Sequence, residues 1–203
     1  MHAVIFDIDG TLLRSSATDD ALYRESVANV LGPVQFRRHL SDYEHVSDSG
    51  ILAQIFEDNG LVTDSSVVDA VRNDFFNRID TYIRTAGPFE ELPHARTILR
   101  RLHASGHHAV AIATGGWQRS AETKLRAAGF DLDGIPLASS DDAIERTDIM
   151  QHALTRLGQK FRAVTYYGDG LWDEAACDRL GWEFRAVGPE LGGIESFEHE
   201  FPD

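Results

Sequence analysis

Cysteine is almost absent: the 203 residues include one, Cys177. No intrachain disulfide is possible, which fits a reducing compartment. Its setting, Ala175-Ala176-Cys177, suggests a small buried residue rather than a nucleophile. Long apolar runs are missing too. None approaches the ~18 residues of a membrane span. The first apolar run ends at Asp7 with no basic region before it, unlike a signal peptide. The expectation is a cytoplasmic, soluble protein without a membrane partner, monomeric by default. Positive charge is scarce: 19 Lys and Arg stand against 33 Asp and Glu, a formal net charge of −14. No Lys/Arg cluster marks the basic face of a nucleic-acid binder, so no nucleic-acid partner is expected. An acidic chain repels phosphate at long range, so a phosphorylated ligand would need local cations or backbone amides, together with a metal. The nine histidines show no metal-ligand spacing. No Gly-Lys-Ser/Thr follows a glycine run, and Gly168-Asp169-Gly170 has Asp173 where a dinucleotide loop needs its third glycine.

What is present describes an ordinary folded domain, 42% hydrophobic and 26% charged. Short apolar runs occur at Ala3–Phe6, Ala109–Ala113 and Ala163–Tyr167, with weaker ones at Ile135–Ala138 and Phe184–Val187. Such runs suit strands buried on both faces of a parallel sheet. Helical stripes lie between them. One opens near Pro93 and runs through Ile98 and Leu102 to Gly106; others end at Gly129, Gly158 and Gly181. From residue 93 onward helix and strand alternate, which predicts a doubly wound, Rossmann-like α/β sheet. Residues 14–87 break the cadence. Asp19 could cap a helix running to Gly32, Ser49 could start a second running to Gly60, and Val68 to Tyr82 mark a third. This segment reads as an all-helical insertion, leaving 1–13 and 88–203 as the core.

Carboxylates gather at the strand ends. Residues two apart on a strand share a side, so Asp7 and Asp9 should converge at the carboxyl edge of the sheet. Paired carboxylates repel unless a cation bridges them. Gly10 allows a turn that a side chain would block. A later strand ends in Asp169, with Asp173 four residues on, and grouped hard oxygens favour Mg²⁺. Between them, Thr114-Gly115-Gly116 leads into a helix and offers a hydroxyl and free amides to a phosphate.

Together these residues resemble the haloacid dehalogenase superfamily of hydrolases. Asp7 to Thr11 matches its Asp-x-Asp-Gly-Thr motif, Thr114 its second motif, and Gly168 to Asp173 its Gly-Asp-x-x-x-Asp motif. The resemblance spans nearly the whole chain, with the helical insertion in the position of the family's mobile cap. It implies a Mg²⁺-dependent phosphatase acting on a small phosphorylated metabolite. Asp7 would be the nucleophile and Asp9 the acid and base. Asp7, the Asp9 carbonyl, Asp169 and Asp173 would surround the metal. Gly10, Thr114, Gly115 and Arg146 would bind substrate. The family's lysine is replaced by Arg146, which keeps the charge but differs in shape and donor geometry. Arg146 reads either as the functional cation or as an exposed surface residue. Lys124, inside a helical pattern, reads as a surface residue.

Some secondary readings remain. His107-His108 fits a solvated loop. Ser47, Asp48 and Ser49 suit a helix cap, and His45 beside them could face the site. Trp117 and Trp172 could wall the pocket or simply pack. A phosphomutase of the same family would use the same core residues. A 2-haloacid dehalogenase would lack Asp9. A phosphonate-cleaving relative would need a cap lysine, and residues 14–87 contain none. A binding protein that keeps the fold without efficient chemistry has Arg146 as its only support.

Overall fold

The computed structural model describes residues 1–201. Five parallel strands form one sheet: β1 (His2–Phe6), β2 (His108–Ala113), β3 (Leu137–Ala138), β4 (Ala163–Gly168) and β5 (Glu183–Ala186). Their order is β3-β2-β1-β4-β5. β1 is therefore central, with Phe6 beside Ile112 on one flank and Tyr167 on the other. Seven helices complete the described chain: α1 (Ser16–Leu31), α2 (Asp48–Asp58), α3 (Ser65–Ala86), α4 (Ala95–Ala104), α5 (Gln118–Ala127), α6 (Arg146–Arg156) and α7 (Leu171–Leu180).

The three inner strands, β1, β2 and β4, are mostly apolar because both faces are covered. Val4, Phe6, Val110, Ile112 and Tyr167 join a core layer with Leu99 of α4 and Leu125 of α5. Ile5, Ala111, Ala113 and Tyr166 join the opposite layer with Ile149 of α6 and Cys177 of α7. This is the two-sided winding that the alternating cadence predicts, and Cys177 is a buried core residue as expected.

Residues 14–87 hold α1 to α3 and one short 3-10 turn, Leu40–Asp42, with no strand. Tyr23, Phe75 and Phe76 from α1 and α3 surround Trp117, with ring centroids 5.6, 5.8 and 6.0 Å away.

Several local expectations are corrected. α1 starts at Ser16, so Asp19 lies in its first turn and does not cap it. α2 starts at Asp48 rather than Ser49; Ser47 caps it, as its residue type suggests, by accepting from the Gly50 N–H. α4 begins at Ala95, behind a left-handed His94, rather than at Pro93. His108 belongs to β2 rather than a loop, half-buried because it pairs beside His2.

Candidate active site

The carboxyl ends of β1, β2 and β4 meet at the edge where open parallel sheets bind ligands. Asp7 is the first residue after β1; its N–H donates to Tyr167 O at 2.9 Å, extending the pairing with β4 by one step. Asp169 follows β4, and Asp173 sits in the first turn of α7, its Oδ2 accepting from the Gly170 N–H at 3.2 Å. One oxygen from each of Asp7, Asp169 and Asp173 lies within 4.8 Å of the others. Burial lifts the Asp7 carboxyl well above its ordinary range; Arg146 opposes this and the neighbouring acids add to it. Burial, then Asp173 and Asp9, push Asp169 up to about 7.

Arg146, the first residue of α6, answers that charge. It is 9% exposed, which excludes the surface reading. Its Nε lies 3.3 Å from Asp173 Oδ1 and its Nη1 3.7 Å from Asp7 Oδ1. Neither nitrogen is aligned for a hydrogen bond, and Asp7 Oδ1 is likewise buried without one. Polar atoms buried and unaligned in this way are poised for a further partner. Three carboxylates against one guanidinium leave two formal negative charges, and hard oxygen donors suit a hard divalent cation. The donor set therefore fits the metal implied by the motifs.

Asp9 behaves differently from Asp7. β1 ends at Phe6, so the period-two rule no longer aims both side chains together. The Asp9 carboxylate lies outside the three-acid cluster and is held by Lys124, whose Nζ donates to Oδ1 at 2.6 Å and Oδ2 at 2.7 Å. Ser15 Oγ also donates to Oδ1, at 2.5 Å. Lys124 donates to Asp19 Oδ1 of α1 at 2.5 Å as well. The surface reading of Lys124 is corrected: it is 0% exposed. Burial alone would lower its pKa, but Asp19 and Asp9 together more than offset this and raise it. Burial and Asp9 push Asp19 up to about 6 against the pull of Lys124.

The loop after β2 supplies Thr114 and Gly115, both lining the cleft with Asp7, Asp9, Arg146 and Asp169. A Cβ on Gly115 would sit 3.0 Å from Arg146 Nη2 and 2.9 Å from Val46 O, so only glycine lets the guanidinium lie against this loop. Gly10 has φ +79°, and a Cβ there would come within 1.8 Å of Asp169 Oδ2. Its N–H is spent on Leu13 O, so Gly10 supplies the bend rather than a free amide for substrate.

The start of α2 docks on the core loops. Asp48 N–H donates to Gly115 O at 2.7 Å, and Asp48 Oδ2 accepts the Trp117 N–H at 2.8 Å. Ser47 Oγ donates to Ile144 O at 2.7 Å, and Trp117 Nε1 donates to Ser49 Oγ at 2.9 Å. The two tryptophans divide the roles open to them: Trp117 packs inside the aromatic cluster, and Trp172 lines the cleft. The cleft wall is built without His45, which is half-buried and lines a neighbouring hollow.

Sequence reasoning missed Lys124, Asp19 and Ser15 as neighbours of the site. One signal was available. Lys124 follows Ala121 by three residues and precedes Leu125, which places it on the apolar stripe of α5.

Among curated protein sequences none matches significantly. Solved structures do. A hydrolase from Pseudomonas syringae superposes with a TM-score of 0.73 at 21% identity, covering 92% of this chain and 84% of that one. CbbY from Rhodobacter sphaeroides, in complex with phosphate, gives 0.71 at 20% identity over 98% and 89%. A protein assigned as a β-phosphoglucomutase from Thermotoga maritima gives 0.56 at 21% identity over 96% and 89%. At these identities the likeness is one of fold. The family model for haloacid dehalogenase-like hydrolases, by contrast, matches the sequence itself over residues 1–181, and with that span covered the chain belongs to this hydrolase family.

Proposed function

We propose that this chain is a Mg²⁺-dependent phosphomonoester hydrolase acting on a small phosphorylated metabolite, with residues 14–87 as a cap over a core of 1–13 and 88–203. The observation that carries the reading is the buried, unpartnered Oδ1 of Asp7, grouped with two further carboxylates and facing Arg146 and Thr114 in one cleft. Asp7, Asp169 and Asp173, with the Asp9 carbonyl, would hold the metal; bound there, it would neutralise charge on the phosphate and on the nucleophile.

The chain's own residues do the rest. Asp7 attacks phosphorus, and the bond to the leaving oxygen breaks as the aspartyl-phosphate forms. Asp9 gives the leaving oxygen its proton, then takes one from the water that cleaves the intermediate. Arg146 and the loop at Thr114 and Gly115 bind the phosphate oxygens. Lys124 fixes the position of Asp9. The docked start of α2 covers one side of the cleft and limits the access of bulk water. The lone, buried Cys177 supports a reducing, cytoplasmic setting.

The test is phosphate release from p-nitrophenyl phosphate, with and without Mg²⁺, beside Asp7→Asn. Metal-dependent release lost in that variant is the expected result; turnover retained in a folded Asp7→Asn protein overturns the nucleophile assignment. A phosphomutase of the same family would use the same core residues but must keep water from the aspartyl-phosphate. Isomerisation of a sugar phosphate without phosphate release would select that reading.

A further inference from the structure

Resting on the phosphatase reading, we propose that the alcohol released by this enzyme is small and carries no negative charge. Beyond the phosphate end the cleft is small and acidic. Asp7 Oδ1 and Arg146 Nη1, buried and unpartnered, mark where the phosphoryl group is held. The opposite wall comes from residues 16–51. It presents Asp19, Asp20 and Asp48, with Tyr23, Val46 and Ile51 as apolar packing.

Among the described residues lining the cleft, Arg146 is the only cation, and it stands at the phosphate end, against Asp7 and Asp173. The remaining carboxylates outnumber their partners. Lys124 is shared between Asp9 and Asp19, and Arg24 sits on Asp20 at 2.8 Å. Asp48 has only the Trp117 N–H as a polar donor among the described residues, at 2.8 Å. Four acids thus face two cations. A carboxylate or second phosphate on the leaving group would enter a partly desolvated space with excess negative charge and no donor cation. There, repulsion between like charges is only weakly screened. A hydroxyl can donate to these same carboxylates, and an ammonium complements them.

Size points the same way. The cavity is about 120 Å³. Pockets for drug-sized ligands run from about 300 to 1,000 Å³. With phosphate in place, the space left for the rest of the substrate is small.

Three esters of equal length isolate the charge: 2-hydroxyethyl phosphate, phosphoethanolamine and phosphoglycolate, whose far ends are neutral, positive and negative. All are assayed with Mg²⁺ beside p-nitrophenyl phosphate as the control for the chemistry. The expected result is kcat/KM for the first two at least about tenfold above phosphoglycolate. Asp20→Lys, which reverses charge at the rim, should narrow that gap. Asp48→Asn, which keeps an oxygen for the Trp117 N–H, should narrow it as well. Phosphoglycolate cleaved as well as the other two, with p-nitrophenyl phosphate also cleaved, overturns the selectivity and leaves the phosphatase reading intact. A preference that survives both variants unchanged overturns its assignment to these carboxylates. If p-nitrophenyl phosphate and all three esters stay intact with folded protein, the phosphatase reading itself falls, and the inference with it.

Discussion

Lys124 and Asp9 stand 115 positions apart in sequence, yet the lysine Nζ donates to both carboxylate oxygens, at 2.6 and 2.7 Å. The same ammonium reaches Asp19 of α1 at 2.5 Å. One buried cation therefore ties the first motif of the core to the helical insertion. A carboxylate held on both oxygens by a fully buried partner has little freedom to turn, and proton transfer depends on such placement.

Replacing Lys124 tests this directly. Lys124→Met leaves Asp9 and Asp19 facing each other without a cation, which should cost about 3 kcal/mol or more of stability. Turnover of an alkyl phosphate, whose leaving oxygen needs a proton, should fall about a hundredfold. Turnover of p-nitrophenyl phosphate, with its better leaving group, should fall much less. Lys124→Arg keeps the charge and should recover part of the loss. Equal losses on both substrates would show that the lysine only supports the fold.

Asp7→Asn should lose turnover and keep its fold. Burial lifts the Asp7 carboxyl, so the charged form is disfavoured where it stands. Removing that charge relieves the cluster, and the variant should melt at or above the wild-type temperature in the absence of metal. A clear drop in its thermal midpoint would contradict this.

Arg146 touches two carboxylates with different nitrogens, 3.3 Å from Asp173 and 3.7 Å from Asp7. A lysine has one charged atom and cannot reproduce that span. Arg146→Lys should fold but turn over at least about tenfold more slowly. Arg146→Met, which leaves buried acids without their cation, should lose about 3–5 kcal/mol. Chemical denaturation of the two variants, beside steady-state kinetics, separates charge from geometry.

Asp169 ties stability to pH. Its carboxyl stands at about 7, above the ordinary 3.8. The folded protein therefore holds a proton that the unfolded chain has already released, and without metal the contribution of this group declines as pH rises from about 4 to about 7. A divalent cation takes the ionised cluster. The thermal shift on adding Mg²⁺ should grow across that window, and scanning at about pH 5 and pH 8 checks the sign. A shift that shrinks with pH would place the cation elsewhere.

Much of this architecture was legible in residue order. Ala3–Phe6, Ala109–Ala113 and Ala163–Tyr167 read as strands because a strand covered on both faces has no polar alternation to blur it. Asp7, Thr114 and Asp169 could be placed at strand ends for the same reason: each interrupts an apolar run where the sheet stops. Side-chain direction was less legible. Asp9 lines the same cleft as Asp7, but the strand ends at Phe6 and its carboxylate turns to Lys124 rather than to the three-acid cluster. Asp19 looked like a cap because acids favour that position; a buried ammonium arriving from α5 supplied a stronger partner.

Local pattern was enough for the sheet, the helices and the acids along the sheet's edge, since period, apolarity and turn chemistry act over a few neighbouring residues. Tertiary structure decided which acid received which cation: Arg146 went to Asp7 and Asp173, Lys124 to Asp9 and Asp19. It also decided that Asp48 of α2 would meet Trp117 and Gly115 of the core. Electrostatic pairing depends on distance in space, and residues far apart in sequence acquire a definite distance only once packing brings their elements together.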